Sequence, residues 1–183
     1  MQFKVKEGKR KTTSTSYKVI LKTRSMDFYE GDVLKLQNPQ DHNKICGAIV
    51  EKIQRGDEKI LMDEYLRGNV GIELGEVVDV EIEHPENAEV VELIPLKYSL
   101  LEKDLIDDIK VRLKMRPIPI HSGNVVPIPI PRLYQTIKVL INKTEPKGIV
   151  IVTGSTELRF PIMNDEHWEA IEDFLNFIRN VKI

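Results

Sequence analysis

One cysteine, one tryptophan and four histidines are all the chain holds of the side chains that most often build metal or redox centres. Cys46 alone excludes an internal disulfide framework and cannot make a thiolate metal site by itself. Set among Ile45, Gly47, Ala48 and Ile49, it reads as a small buried residue. His42, His84, His121 and His167 are scattered, with none at ligand spacing to another. There is no glycine loop followed by lysine, hence no phosphate cradle, and no serine, histidine and acid combination stands out. Gly154-Ser155 is the dipeptide at which pyruvoyl enzymes cleave themselves, but here it falls in an ordinary turn. No cofactor or metal is implied, and a non-enzymatic protein is expected. No apolar run approaches the roughly 18–20 residues of a membrane span, and the first residues do not form a signal peptide. A cytoplasmic protein without a membrane partner is the expectation. Charge of one sign is missing too: 27 basic against 29 acidic residues leave a net charge of −2, so the chain as a whole is not a polyelectrolyte binder.

What is present is enough apolar material, 41% of residues, for a real core, at a length that allows one large domain or two small ones. The most informative stretch is Met62 to Ile82. Asp63 can cap a short helix, and Gly68-Asn69 can end it. Gly75 then turns the chain into Val77, Val80 and Ile82, which alternate with acids as a strand would. The stretch has an echo. Tyr29-Glu30-Gly31-Asp32-Val33 matches Glu73-Leu74-Gly75-Glu76-Val77, with the two glycines 44 residues apart. Residues 2–83 therefore read as two rounds of strand, short helix, glycine turn and strand, with Ser25 to Glu30 as the first helical turn. A duplicated set of short strands favours a closed barrel, which leaves no exposed sheet edge. Gly31 and Gly75 serve backbone geometry in this reading, and Asp32 and Glu76 serve turn hydrogen bonds.

Residues 1–24 hold eight Lys/Arg against Glu7 alone. The loop from Glu7 to Ser16 has no aromatic residue for base stacking, so a solvated loop is expected and nucleic acid is not. After His84-Pro85, Val90 to Leu96 begins new β material. A helix follows, with Ser99 and Glu102 at capping-box spacing and Leu101, Leu105, Ile106, Ile109 and Leu113 as its apolar face. Arg116-Pro-Ile-Pro-Ile120 and Val126-Pro-Ile-Pro-Ile-Pro131 carry proline at every second position. That removes donors along one side only, which suits strands at a sheet edge. Tyr134 to Ile141, Ile149 to Val152 and Leu158 to Ile162 read as strands, and Asn142 to Gly148 as a loop. From Asn164 the chain changes character. Trp168, Ile171, Leu175 and Ile178, widened by Phe174, give a helical stripe able to dock on the chain's own core, to dimerise, or to meet a partner.

Order and spacing together carry a resemblance. The run Asp57-Glu58-Lys59-Ile60, Met62, Arg67, Asn69 and Leu74-Gly75-Glu76-Val77 resembles the amino-terminal domain of the valosin-containing-protein family of AAA ATPases, including its archaeal members. Gly31-Asp32 fits the earlier half of that domain. Leu93-Ile94-Pro95-Leu96, the helix, Arg116-Pro117, Lys143-Thr144-Glu145-Pro146 and Ile149 to Val152 come in the family's order. The resemblance covers roughly residues 2–162 and no ATPase module. It implies a mainly β protein with some α. A double-psi β-barrel over 1–86 is followed by a second small β-barrel subdomain with one helix over 87–163; the amphipathic helix expected over 164–183 from its spacing is a departure from the family, whose members continue into an ATPase module there. It further implies a non-catalytic unit that binds substrate or adaptor proteins in the cleft between the two subdomains, with an AAA ATPase as a further partner. By position, Ala48, Val50, Met115 and Arg116 match cleft-lining residues. Met115 stands where eukaryotic members have an aromatic residue, as they do near Asn87. Gly71 and Glu73 replace basic residues that face an ATPase ring. The chain is expected either to stand alone or to be the excised recognition domain of a longer ATPase. Nucleic-acid binding through the basic segment and an enzyme built on the barrel are the alternatives.

Overall fold

Alternating burial organises the amino-terminal half. The computed structural model describes residues 1–8, 17–96, 103–115 and 117–161. The expected capping box at Ser99–Glu102, the basic loop from residue 9 to 16, Arg116 and the helix over 164–183 lie outside the described residues. Phe3 and Val5 in β1 (Gln2–Glu7), Val19 and Leu21 in β2 (Lys18–Thr23), and Leu34 and Leu36 in β3 (Val33–Gln37) all point inward. So do Ala48 and Val50 in β4 (Ile45–Arg55), Ile60 and Met62 in β5 (Lys59–Met62), and Val78 and Val80 in β6 (Val77–Glu83). The six strands close into a barrel in the order β1-β5-β2-β4-β3-β6, so the period-2 pattern fills one common interior. β1–β5 and β2–β4 are parallel and the other four pairings antiparallel. Exchanging β1 with β4, β2 with β5 and β3 with β6 leaves every pairing and its direction unchanged. The echo in the sequence is thus an internal two-fold in the barrel.

The two halves differ in what joins their strands. Between β5 and β6 stands α1 (Glu64–Val70), whose N-cap Asp63 accepts the N–H groups of Tyr65 and Leu66. It runs on past Gly68-Asn69 to Val70: Gly71, at φ 66°, is the left-handed residue that closes it. Between β2 and β3, Ser25 to Glu30 forms bends instead of a helical turn. The Ser25 hydroxyl accepts the Asp27 N–H, and Thr23 Oγ1 accepts that of Ser25. Such short side chains offer the backbone a local alternative to a helix. Phe28 pins the segment, edge-on to Phe3 with centroids 5.8 Å apart.

Residues 86–159 form two further sheets. β10 (Val125–Ile130), β11 (Gln135–Glu145), β8 (Val90–Pro95) and β13 (Glu157–Arg159) make one; β7 (Glu86–Asn87), β12 (Val150–Ile151) and β9 (Pro119–Ile120) make the other. The proline-bearing strands β10 and β9 each pair on one side only, as edges. β11 runs on to Glu145, past a bulge after Ile141, where a loop was expected; Lys143, Thr144 and Glu145 pair with Glu92, Val91 and Val90. α2 (Lys103–Lys114) buries Leu105, Ile109 and Leu113 and packs near β10. The fold is therefore mainly β with two α-helices among the described residues. Apolar side chains from the barrel and from residues 88–158 join one continuous core.

Candidate functional site

The echoed turns are built bond for bond alike. Gly31 donates to the Val50 carbonyl (2.8 Å), and Val50 donates back to that of Asp32 (2.9 Å). Gly75 donates to the Val5 carbonyl (3.0 Å), and Val5 donates back to that of Glu76 (2.8 Å). Asp32 Oδ2 accepts the Tyr29 N–H at 2.7 Å, and Glu76 Oε2 accepts the Glu73 N–H at 2.8 Å. Both glycines need positive φ, 97° and 93°. The acids close their own turns, as their position in the sequence implies.

The Gly31 turn borders a concavity that the Gly75 turn does not line. An open depression of about 440 Å³ is lined by Gly31, Asp32 and Val33, by Ile82, Glu83, His84 and Pro85, and by Ile151 of β12. Its position follows from the chain path. After β6 the His84-Pro85 link carries the backbone into β7, which pairs with β12 and so brings Ile151 beside the Gly31 turn. Its lining mixes the apolar Val33, Ile82, Pro85 and Ile151 with the polar Asp32, Glu83 and His84. Glu83 Oε1 accepts the His84 N–H at 3.1 Å.

A buried polar knot ties the barrel and α1 to β10. The Tyr17 hydroxyl donates to the Val125 carbonyl at 2.8 Å and accepts from Asn69 Nδ2 at 2.7 Å. Asn69 Nδ2 also reaches the Val125 carbonyl at 3.1 Å, while Asn69 Oδ1 accepts the Val125 N–H at 2.7 Å. Asn124 donates to the Ile45 carbonyl at 2.7 Å. One residue on α1 thus does for β10 what a neighbouring strand would. β4 and β9 touch even more closely: a Cβ on Gly47 would stand 2.6 Å from Pro119 Cβ. Glycine here permits direct approach of one backbone to another element.

Burial raises the Tyr17 phenol above its ordinary value, with Cys46 and Asp63 nearby adding to the effect. Burial likewise raises the Cys46 thiol, so the sulfur is held protonated and inert. Burial lowers His121, against a hydrogen bond to the Ser122 carbonyl. None of these three lines the concavity. Among the described residues no group of three His, Cys, Asp or Glu side chains is placed to hold a metal ion, and no helix is long and apolar enough to cross a membrane.

Ala48 and Val50 are 0% and 1% exposed, with their side chains in the barrel core. The Val50 backbone holds the Gly31-Asp32 turn, but Val50 is not among the lining residues. Met115 is 64% exposed at the end of α2 and is not among the lining residues. Arg116, Trp168, Ile171, Phe174, Leu175 and Ile178 lie outside the described residues. The lining residues Val33, Ile82, Pro85 and Ile151 carry no motif. The one signal near them is Asn87, close to where the resembled family has an aromatic residue, which pairs with Ile151.

No family model matches the chain. It is 25% identical over 160 residues to Protein SAV of Sulfolobus acidocaldarius, a match that takes in 86% of this chain and 20% of that protein. The chain thus spans about a fifth of the length of the curated relative it matches.

Proposed function

We propose that the chain is a non-catalytic protein-recognition unit of the kind found at the amino terminus of valosin-containing-protein ATPases. In this reading the closed barrel is a double-psi barrel over residues 1–86, and the two further sheets with α2 form the small second subdomain over 87–163. The internal two-fold of the barrel and the duplicated glycine–acid turns support the first assignment. The similarity to Protein SAV extends over most of the chain and supports a shared unit within a longer relative.

The observation that carries the function is the open depression where the Gly31 turn, the His84-Pro85 link and β12 meet. Apolar and polar side chains together on one open surface suit contact with a protein partner, the polar groups setting orientation. The partners are substrate or adaptor proteins, and an AAA ATPase in cis or in trans is the motor they would be handed to. Of the lining residues, Asp32 and Glu83 accept the backbone N–H groups of Tyr29 and His84, which favours binding over catalysis.

A photo-crosslinking residue placed at Ile82, an exposed residue of the lining, tests this. Ile82 should trap a discrete protein in the native cell that the same group at Lys52, exposed elsewhere on the barrel, does not. Equal labelling from both positions would remove the reading.

A further inference from the structure

Among the described residues, Arg67 is the one buried lysine or arginine, with 6% of its surface exposed. It sits on α1, which is held from two directions. Leu66 and Val70 lie in the barrel core, and Asn69 is tied to Tyr17 and Val125. The helix is thereby fixed in rotation, and Arg67 is kept inside with it.

No described group answers its charge. Arg67 Nε is fully buried and has no hydrogen-bond partner. No ion pair among the described residues includes its guanidinium. Asp63, four residues earlier on the helix, commits Oδ1 to the N–H groups of Tyr65 and Leu66. Glu58 Oε2 is also buried without a partner, but Glu58 stands at the opposite end of β5 from α1 and forms no ion pair with Arg67. The other buried polar side chains are treated differently: Asn69, Asn124 and Thr156 all have partners. A charge taken out of water is normally paired or hydrogen-bonded, so an unanswered buried guanidinium calls for an acceptor from outside the described chain.

We propose that Arg67 is the anchor of an oxyanion site that takes a small phosphate or carboxylate. The planar guanidinium presents paired donors that match the oxygens of either group. With so little of Arg67 reaching solvent, the site suits a small anion and not a folded partner. The bound anion supplies the missing acceptors and steadies α1. Through Asn69, two residues on, it also steadies the hold on β10. Arg67 does not line the depression, so this site is separate from the recognition surface and does not rest on that reading.

The full chain is titrated with sodium phosphate and, separately, with sodium acetate, in sodium chloride at constant ionic strength. Binding is read by isothermal titration and stability by thermal melting. At least one of the two anions should bind saturably, one per chain. It should raise the melting temperature by roughly 3–5 °C for each tenfold rise in concentration above its dissociation constant. Which anion does so identifies the source. Arg67→Met, of similar length and without charge, should lose both effects. Arg67→Lys, which keeps the charge without the fork, should bind at least about tenfold more weakly, and it decides the matter if Arg67→Met does not fold. General salting-out by phosphate raises parent and variant alike without saturating. That pattern, equal affinity in the parent and Arg67→Lys, or no saturable binding of either anion to the parent would overturn the proposal.

Discussion

Asn69 concentrates more long-range order than any other polar side chain described. It satisfies the Val125 N–H and carbonyl and the Tyr17 hydroxyl, all buried. Asn69→Leu leaves the Val125 N–H without its partner, and an orphaned buried donor costs about 1–3 kcal/mol. We expect a loss of that size or somewhat more in urea denaturation, and Tyr17→Phe should cost less, since Asn69 still serves Val125. The same knot predicts a pH dependence. Tyr17 and Cys46 hold their protons more tightly folded than unfolded. Above the ordinary values of 9.0 for the thiol and 10.0 for the phenol, the unfolded chain sheds protons that the folded chain keeps. Stability therefore falls as pH rises through that range. A Tyr17→Phe, Cys46→Ala double variant should show a shallower alkaline decline in melting temperature than the parent; parallel curves would contradict this.

At the scale of elements, the strands were the most legible part of the sequence. Phe3/Val5, Val19/Leu21 and Ile137/Val139/Ile141 alternate, and all are buried as a period of two requires. Proline at every second position placed β9 and β10 at edges. The helices and turns were less so, because local chemistry competes there. Hydroxyl and carboxylate groups drew Ser25–Asp27 into bends, and Asn69 served tertiary contacts while Gly71 ended α1. β11 outran its apolar pattern because polar residues beyond a bulge still pair with β8. The glycines separate two kinds of requirement. A Cβ at Gly31 or Gly75 meets nothing within 4 Å, so alanine there costs only backbone strain at positive φ, about 1–3 kcal/mol. Gly47→Ala instead drives a methyl group into Pro119 and should destabilise more, with faster amide exchange along β9 and β12. Equal losses at the three positions would argue against a tight β4–β9 contact.

For the whole molecule, the barrel's two-fold was readable from the echo at Tyr29 and Glu73, and the depression was not. It exists because residues 50 to 120 apart in the chain meet at one turn of a symmetric pair, and nothing local in Val33, Ile82 or Ile151 announces that meeting. The symmetry supplies its own control. Val33 and Val77 occupy equivalent places after the two glycine turns, yet only Val33 borders the depression. The decisive measurement is the affinity of the crosslinked partner, once identified, for Val33→Asp and Val77→Asp by isothermal titration, with thermal melting run alongside. If the depression is the recognition site, Val33→Asp weakens binding at least about tenfold, roughly 1.4 kcal/mol, while Val77→Asp binds as the parent does. Equal binding by both variants, or loss in both with matching losses of stability, would contradict it.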